Sequence, residues 1–368
     1  MSKRQHSHLD GDRTGKRPRR APKKHLYLVL DDWDTGFSIY KVDADTLQDT
    51  RTSDVQFGFP DPPVLRFPVP VRHLGMSFTA FGNSIFIATN PHCPQTPILL
   101  YDTEIAGITI GPSLPRSLLG GIDISVAAGD ALYALTSRHA GEQHSFEAMS
   151  WAATGSDEMW DPRPAMDWSW KSVPSPPPFA RDDIISSYAL HPDGHTILFM
   201  SAHDSLYQHV PKGTFSFDTK RSEWRWHGEW ALPFQGQGYY DSELGAWIGL
   251  RKDGYICACE VASRSRESAV QPYCKIAKEK LFLKVPERRL AATRATLAYM
   301  GNSNFCLVDC VQREGVEPTC VFDCCVLHMS TFGLKYDHRG ELQTTRHCSN
   351  SCVVSKHILS FSPAVFWM

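Results

Sequence analysis

One short pattern returns along most of this 368-residue chain: a Gly or Asp turn followed at once by an alternating run rich in β-branched and aromatic residues. It reads GNSIFIAT at 82–89, GDALYALT at 129–136, DGHTILFM at 193–200, LGAWIGL at 244–250 and GNSNFCLV at 301–308. Successive side chains of a strand point to opposite faces, so alternation straight after a tight turn marks one arm of a hairpin. The turn glycines Gly82, Gly129, Gly194, Gly245 and Gly301 stand 47, 65, 51 and 56 residues apart. Repeats of about 50 residues hold four strands each in propellers of the kelch kind, whose sheets cover one another around an axis.

The spacing therefore predicts an all-β chain: a kelch-like β-propeller of six four-stranded blades, with five or seven as the alternatives. Order begins near His25, where HLYLVLDD, WDTG and FSIYKVD read as a hairpin. That segment, 25–41, supplies two strands only. The C-terminal run HILSFSPAVFWM (357–368) or its neighbours is expected to complete the same blade, so that N- and C-terminal strands close the ring and remove exposed edges.

A second template supports the repeat. Ser145-Phe146-Glu147 precedes Trp168-Ser169-Trp170, Ser216-Phe217-Asp218 precedes Trp224-Arg225-Trp226, and Tyr101-Asp102 with GPSLP (111–115) is a weaker copy. The gap from acid to Trp is 21 residues in the first and 6 in the second. An inserted loop at 148–178 accounts for most of the stretched interval, and its Trp151 and Trp160 are candidate interaction residues, with a decoration folded onto its own blade as the alternative. The members of each Trp-x-Trp pair share one strand face and are expected to pack blade against blade. Helix is expected only as a turn or short helix around Lys275–Lys280, where lysines guarding an edge strand are the competing reading.

The composition, 42% hydrophobic and 21% charged, is that of a globular protein. The net charge of −2 divides unevenly: residues 1–24 carry +7 and the remainder −9. Residues 1–24 are too poor in bulky aliphatics to fold and form a basic disordered tail, with the propeller at 25–368. The run GKRPRRAPKK makes Lys16, Arg17, Arg19, Arg20, Lys23 and Lys24 candidates for nuclear import through an importin groove. An acidic body repels phosphate, so nucleic acid is expected to bind only weakly and through the tail. No secretory leader and no apolar stretch of about 18 residues is present, which points to nucleus or cytoplasm, not secretion, and to no membrane. The eleven cysteines are expected to be reduced thiols there.

Several constellations invite chemistry, and each has a structural explanation. Cys306/Cys310, Cys320/Cys324 and Cys348/Cys352 are spaced C-x-x-x-C, yet residues four apart in a strand lie about 13 Å from each other, too far to share one zinc ion. Only CSNSC (348–352), with a turn-like centre and His347 or His357 nearby, could bring two thiolates together. His191 and His195 flank Pro192-Asp193-Gly194, which is hairpin-tip chemistry. Asp31, Asp32 and Asp34 with Gly36 lack the alternating ligands of a calcium loop, and GQGYYD (236–241) lacks the helix a dinucleotide needs. No catalytic, metal or cofactor-binding residue is assigned, and no cofactor is expected.

HLYLVLDD, FSIYKVD, LYALT, SYALHPDGHTILFMS, GTFSFDTKRSEWRWHGEWALPF, YYDSELGAWIGL and LAYMGNSNFCLV together resemble an uncharacterised kelch-related plant family, a domain-of-unknown-function family expanded in grasses. The resemblance runs from about His25 to the region of Leu342 and implies a kelch-like propeller, with no catalytic residues to carry over. The paired glycines of true kelch repeats are missing. The expected function is a non-catalytic protein-interaction scaffold with a protein partner of unknown identity. One alternative is a propeller enzyme acting on a small molecule or glycan from its central channel; another is a nuclear factor whose tail touches nucleic acid. A close cluster of Asp, Glu and His in the channel favours the enzyme, and an apolar, aromatic rim favours a partner.

Overall fold

The computed structural model describes residues 23–31, 36–49, 56–68, 76–89, 96–119, 121–136, 144–153, 166–204, 209–262, 271–281, 295–315, 325–354 and 362–368. The chain opens with β1 (Leu26–Asp31) and β2 (Phe37–Val42), then a short helix α1 (Ala44–Asp49), β3 (Gln56–Phe57) and β4 (Leu65–Phe67). A four-stranded antiparallel meander follows in β5 (Ser77–Phe81), β6 (Ser84–Ala88), β7 (Pro97–Asp102) and β8 (Gly107–Ser113). The next is β9 (Ile122–Ala128), β10 (Ala131–Thr136), β11 (Phe146–Ala153) and β12 (Met166–Ser172).

Two further meanders share one eight-stranded sheet. One is β13 (Asp183–Leu190), β14 (Thr196–Asp204), β15 (His209–Asp218) and β16 (Glu223–Gly228). The other is β17 (Gln235–Asp241), β18 (Ala246–Leu250), β19 (Tyr255–Glu260) and β20 (Cys274–Lys280), and a parallel pairing of Ser187–Ala189 with Gly236–Gly238 joins the two. The last meander is β21 (Thr296–Gly301), β22 (Asn304–Gln312), β23 (Cys325–Tyr336) and β24 (Leu342–Val354), with β3 added parallel to β24. Finally β25 (Ala364–Trp367) returns to pair antiparallel with β1, in register Leu26 to Trp367, giving the order β25-β1-β2-β4. His25 and Met368 exchange both backbone hydrogen bonds, at 2.6 and 3.0 Å.

The recurring glycines sit at one place in this scheme, the turn between the first and second strand of a meander. Gly82, Gly129, Gly194, Gly245 and Gly301 all have φ between 58° and 86°, the left-handed region that a Cβ disfavours. An aspartate often completes such a turn by accepting backbone N–H groups: Asp193 takes those of His195 and Thr196, and Asp218, after the third strand, those of Lys220 and Arg221.

Each sheet buries its apolar faces against the next. Tyr27, Val29 and Ile39 meet Ile85, Ile87 and Tyr101; Phe86 and Leu100 meet Leu132 and Met149; Ile124 and Phe146 meet Phe199 and Phe217. Leu198 and Ala189 meet Trp247 and Cys257, and Ile248 and Ile256 meet Phe305 and Phe332. Cys306, Val308 and Leu327 then pack on Leu26, Leu28 and Leu30, the second face of β1. A fully buried aliphatic or Phe side chain contributes roughly 1.5–3 kcal/mol.

Three of the four paired tryptophans serve this packing, and Trp226 does not. Trp168 and Trp170 lie edge-on to Phe81 and Phe86 of the preceding sheet, at 5.5 and 6.1 Å. Trp224 packs on Phe146 at 5.4 Å and donates its indole N–H to the Ser175 carbonyl at 3.1 Å. Trp226 is 44% exposed, its ring over Phe215 and the bare Cα of Gly213.

Of the two readings of Lys275–Lys280 the edge strand holds: the segment is β20, last in its sheet, with Ala277 buried, Lys278 and Lys280 exposed and Lys275 over the Tyr336 ring at 4.5 Å. Three other expectations are corrected. Helix occurs instead at Ala44–Asp49, where Asp43 accepts the Asp45 N–H at 3.0 Å and Ala44 and Leu47 are buried. Not every cysteine is a thiol: Cys310 and Cys325, on neighbouring strands with Cα atoms 6.5 Å apart, form a disulfide. CSNSC likewise lies within the strand β24, opposite Leu327–Thr331, so its two sulfurs do not converge. Among the described residues no helix is long and apolar enough to cross a membrane.

Candidate functional site

The first strands of successive sheets are neighbours: β5 lies beside β9, β9 beside β13, β13 beside β17, β17 beside β21, β21 beside β25 and β25 beside β5. Between them is a cavity of about 920 Å³. Small hydroxyl side chains knit these strands together. Ser77 donates to the Ile122 carbonyl at 3.3 Å, Thr79 bonds Ser125, Ser187 bonds the Phe234 carbonyl, and Thr296 donates to the Pro363 carbonyl at 2.6 Å. A serine or threonine supplies a donor that reaches a neighbouring sheet without a bulky side chain filling the centre.

The cavity wall is neutral and rich in hydrogen-bonding groups. The Tyr188 and Tyr239 hydroxyls both donate to the Gln237 side-chain oxygen, at 3.4 and 3.3 Å, which leaves the carboxamide N–H₂ to face the cavity. Burial pushes the Tyr188 phenol up to about 12, and raises Tyr239 further. Tyr299 is also up to about 12, from burial and then the Asp241 carboxylate bonded to it. At neutral pH all three stay protonated and serve as donors. Lys24, at the N-terminal entry to β1, and Asp123 are the charged side chains among the described lining residues.

At one margin the chain crosses from β17 to β21 by a buried carboxylate. Asp241, fully buried, accepts the Ser303 N–H at 3.0 Å, the Ser303 hydroxyl at 2.9 Å and the Leu244 N–H at 2.8 Å. Asn302 and Ser303 have φ of 50° and 55°, a costly conformation for residues with a Cβ, which these bonds hold in place. The spacing Asp241-x-x-x-Gly245 was visible in the sequence, but its partner 62 residues away was not.

Outside the cavity, several large apolar side chains face solvent. Ile105, Ile108 and Ile110 are 77, 49 and 69% exposed on and before β8, and Trp151 and Met166 are 49 and 45% exposed on β11 and β12. Trp151 stands in β11, its ring 5.3 Å from that of Trp168, its partner across the strands. Residues 148–153 and 166–172 of the 148–178 stretch are thus strand, within Phe146–Ala153 and Met166–Ser172, and Trp160 lies outside the described residues.

The remaining sequence candidates separate in space. His191 and His195 flank Asp193 at the β13–β14 tip, with His191 Nδ1 3.0 Å from Asp193 and His195 Nδ1 3.5 Å from Asp218. Burial draws the Asp193 carboxyl up, but bonds from the His195 and Thr196 N–H groups and the Thr196 hydroxyl outweigh it and leave it below its ordinary value. Lys23 pairs with Asp43 and Asp45 at 2.6 and 2.8 Å. Lys16, Arg17, Arg19 and Arg20 lie outside the described residues, as do Asp32, Asp34, Cys320, Cys324 and His357.

A family model described as "Protein of unknown function (DUF1668)" matches residues 23–353, nearly the whole described chain. The chain belongs to this DUF1668 family. Among curated proteins none matches it. Solved structures with a similar course include the β-propeller domain of Myceliophteria thermophila Cps50 (Swd1), at 11% identity and a TM-score of 0.35 over 88% of this chain and 82% of that one. Hydrazine synthase of Kuenenia stuttgartiensis matches at 10% identity and 0.33 over 73% and 64%. The dihydro-heme d1 dehydrogenase NirN matches at 14% and 0.33 over 95% and 77%. For this DUF1668 chain the fold argument rests on its own sheet order and packing, which are those of a β-propeller-like, all-β protein.

Proposed function

We propose that the chain is a six-bladed, kelch-like β-propeller, closed by β25 on β1, that works as a non-catalytic protein-interaction scaffold. Closure is supported by the unbroken succession of neighbours among the first strands and by the apolar cluster that links β22 and β23 to β1. The kelch-related plant group that its motifs resemble shares this architecture. The observation that carries the function is the set of solvent-facing apolar side chains, Ile108 and Ile110 on β8 and Met166 on β12, the outer strands of two adjacent sheets, with Trp151 on the neighbouring β11. Exposed groups of this kind gain by being covered, and a rigid ring holds them in fixed relation.

The scaffold works in the nucleus or cytoplasm, and the basic tail is the import signal, read by an importin. A fluorescent reporter fused to residues 1–24 accumulates in the nucleus on this reading; a reporter spread evenly through the cell ends the import proposal. The scaffold reading is tested by affinity purification of the tagged full chain from native tissue, followed by binding of the recovered protein to purified chain. Direct, saturable binding is expected. Recovery of no direct binder, with turnover of a small molecule or glycan by the purified chain, overturns it.

A further inference from the structure

The outer strands differ in one respect. An edge strand offers unpaired backbone groups to any other strand, and charged side chains are the usual protection. β4 carries Arg66; β12 carries Asp167 and Lys171; β16 carries Glu223 and Arg225; β20 carries Lys275, Lys278, Glu279 and Lys280; β24 carries Arg346 and is partly covered by β3. β8, Gly107–Ser113, carries no charge at all and is last in its sheet, with no strand beyond it among the described residues.

Its side chains add to this. Ile108 pairs across the strands with Tyr101, and Ile110 with Leu99, so both lie on the sheet face whose inner part, Ile85, Ile87 and Tyr101, is buried against β1 and β2. The covering sheet is short at this radius, since β4 has three residues, and Ile108 and Ile110 emerge 49 and 69% exposed. Ile105, 77% exposed in the turn before β8, folds back to within 3.1 Å of where a Cβ on Gly107 would stand, which is the opposite face from Ile108 and Ile110. On the other face, β12 lies alongside.

Resting on the scaffold reading and making it specific, we infer that β8 is a docking edge that takes an extended, uncharged segment of a partner protein as an added strand, apolar at alternate positions. Backbone groups of 107–111 supply the ladder, and the ladder stops at Pro112, which has no N–H to give. The occupant is a short peptide segment, not a second copy. Five to seven residues at about 3.3 Å each make an edge some 20 Å long and one strand wide, several-fold less than the roughly 800 Å² per partner of a stable dimer.

The test is selection of random seven-residue peptides displayed on phage against the full chain, with the recovered peptides then measured on wild type, Ile108→Lys/Ile110→Lys and Ile108→Val/Ile110→Val. Both positions are solvent-facing, and an unchanged melting temperature shows that the variants fold. The expected result is peptides with β-branched or aromatic residues at alternate positions, bound at least tenfold more weakly by the lysine variant and within threefold by the valine variant. Peptides without that alternation, or equal binding to the lysine variant, overturn the assignment. A concentration-dependent dimer that the lysine variant abolishes overturns it in favour of self-pairing. If tissue partners persist on the lysine variant, the edge fails and the scaffold reading stands; if no tissue partner exists for either form, the scaffold reading itself fails.

Discussion

Replacing Asp241 with alanine removes the carboxylate that fastens the β17–β18 turn to the β21–β22 turn. Its bonds to Ser303, Leu244 and the Tyr299 hydroxyl go with it, and two of the donors, the Ser303 and Leu244 N–H groups, are backbone groups that cannot move away. Ser303 is 4% exposed, so its N–H is left with neither protein nor bulk water to bond. A buried donor without a partner costs about 1–3 kcal/mol, and bonds to a charged acceptor stand at the upper end, so the variant loses about 3–5 kcal/mol. Ser303→Ala deletes only the hydroxyl bonds and loses about 1–2 kcal/mol. Urea denaturation followed by tryptophan fluorescence reads both. An Asp241→Ala variant within 1 kcal/mol of wild type, or one no worse than Ser303→Ala, refutes the claim that this carboxylate couples the two sheets.

The turn at Asp193 gives a pH signature. Its carboxyl is depressed in the folded chain, so its stabilisation is fully present above the unfolded value of about 4 and is lost as the pH falls through the folded value. Acid unfolding of Asp193→Asn is expected to show a shallower pH dependence than wild type; superimposable curves contradict this. Alkylation should be selective: the hydrogen bond from Cys257 holds the Cys274 thiol below its ordinary value, while burial pushes Cys306 and Cys352 up to about 12. Mass spectrometry after iodoacetamide at pH 8 should find Cys274 modified first, and early modification of Cys306 counts against the packing. Gly249→Ala places a Cβ 2.3 Å from Phe234 Cγ and 2.5 Å from Phe234 Cβ and is expected to destabilise by about 1–3 kcal/mol, with the cost relieved in a Phe234→Gly background. Additive effects of the two changes argue against that contact.

The hairpin grammar was legible because it is local. Gly82, Gly129, Gly194, Gly245 and Gly301 need positive φ wherever they sit, and the alternating runs after them need one wet and one dry face or two dry ones. The Trp-x-Trp pairs gave the packing direction for the same reason, since residues two apart share a face. What was hidden depends on distant partners. KIAKEK could be read as a short helix or as a lysine-guarded edge strand, and its pairing with β19 decides for the strand. The Cys310–Cys325 bond joins residues whose proximity is set by the β22–β23 register, not by spacing. The docking edge was missed because GITIGPS is unremarkable until the other outer strands are laid beside it; the available signal was the lack of charge in β8 where the fourth strands β12, β16, β20 and β24, and β4, all have some.

Ring closure is the proposal on which the rest depends, and the pairing of β25 with β1 is the observation behind it. Removing residues 362–368 takes away the ladder to β1, both His25–Met368 bonds and the Thr296–Pro363 bond, and uncovers Leu26 to Leu30. A thermal melt of the truncated chain beside the full one is the direct measurement. The account predicts a single cooperative transition lowered by 10 °C or more, or no folded state, on the order of 0.8 kcal/mol being equivalent to 1 °C for a cooperative unit of this size. A truncated chain that melts where the full chain does contradicts it.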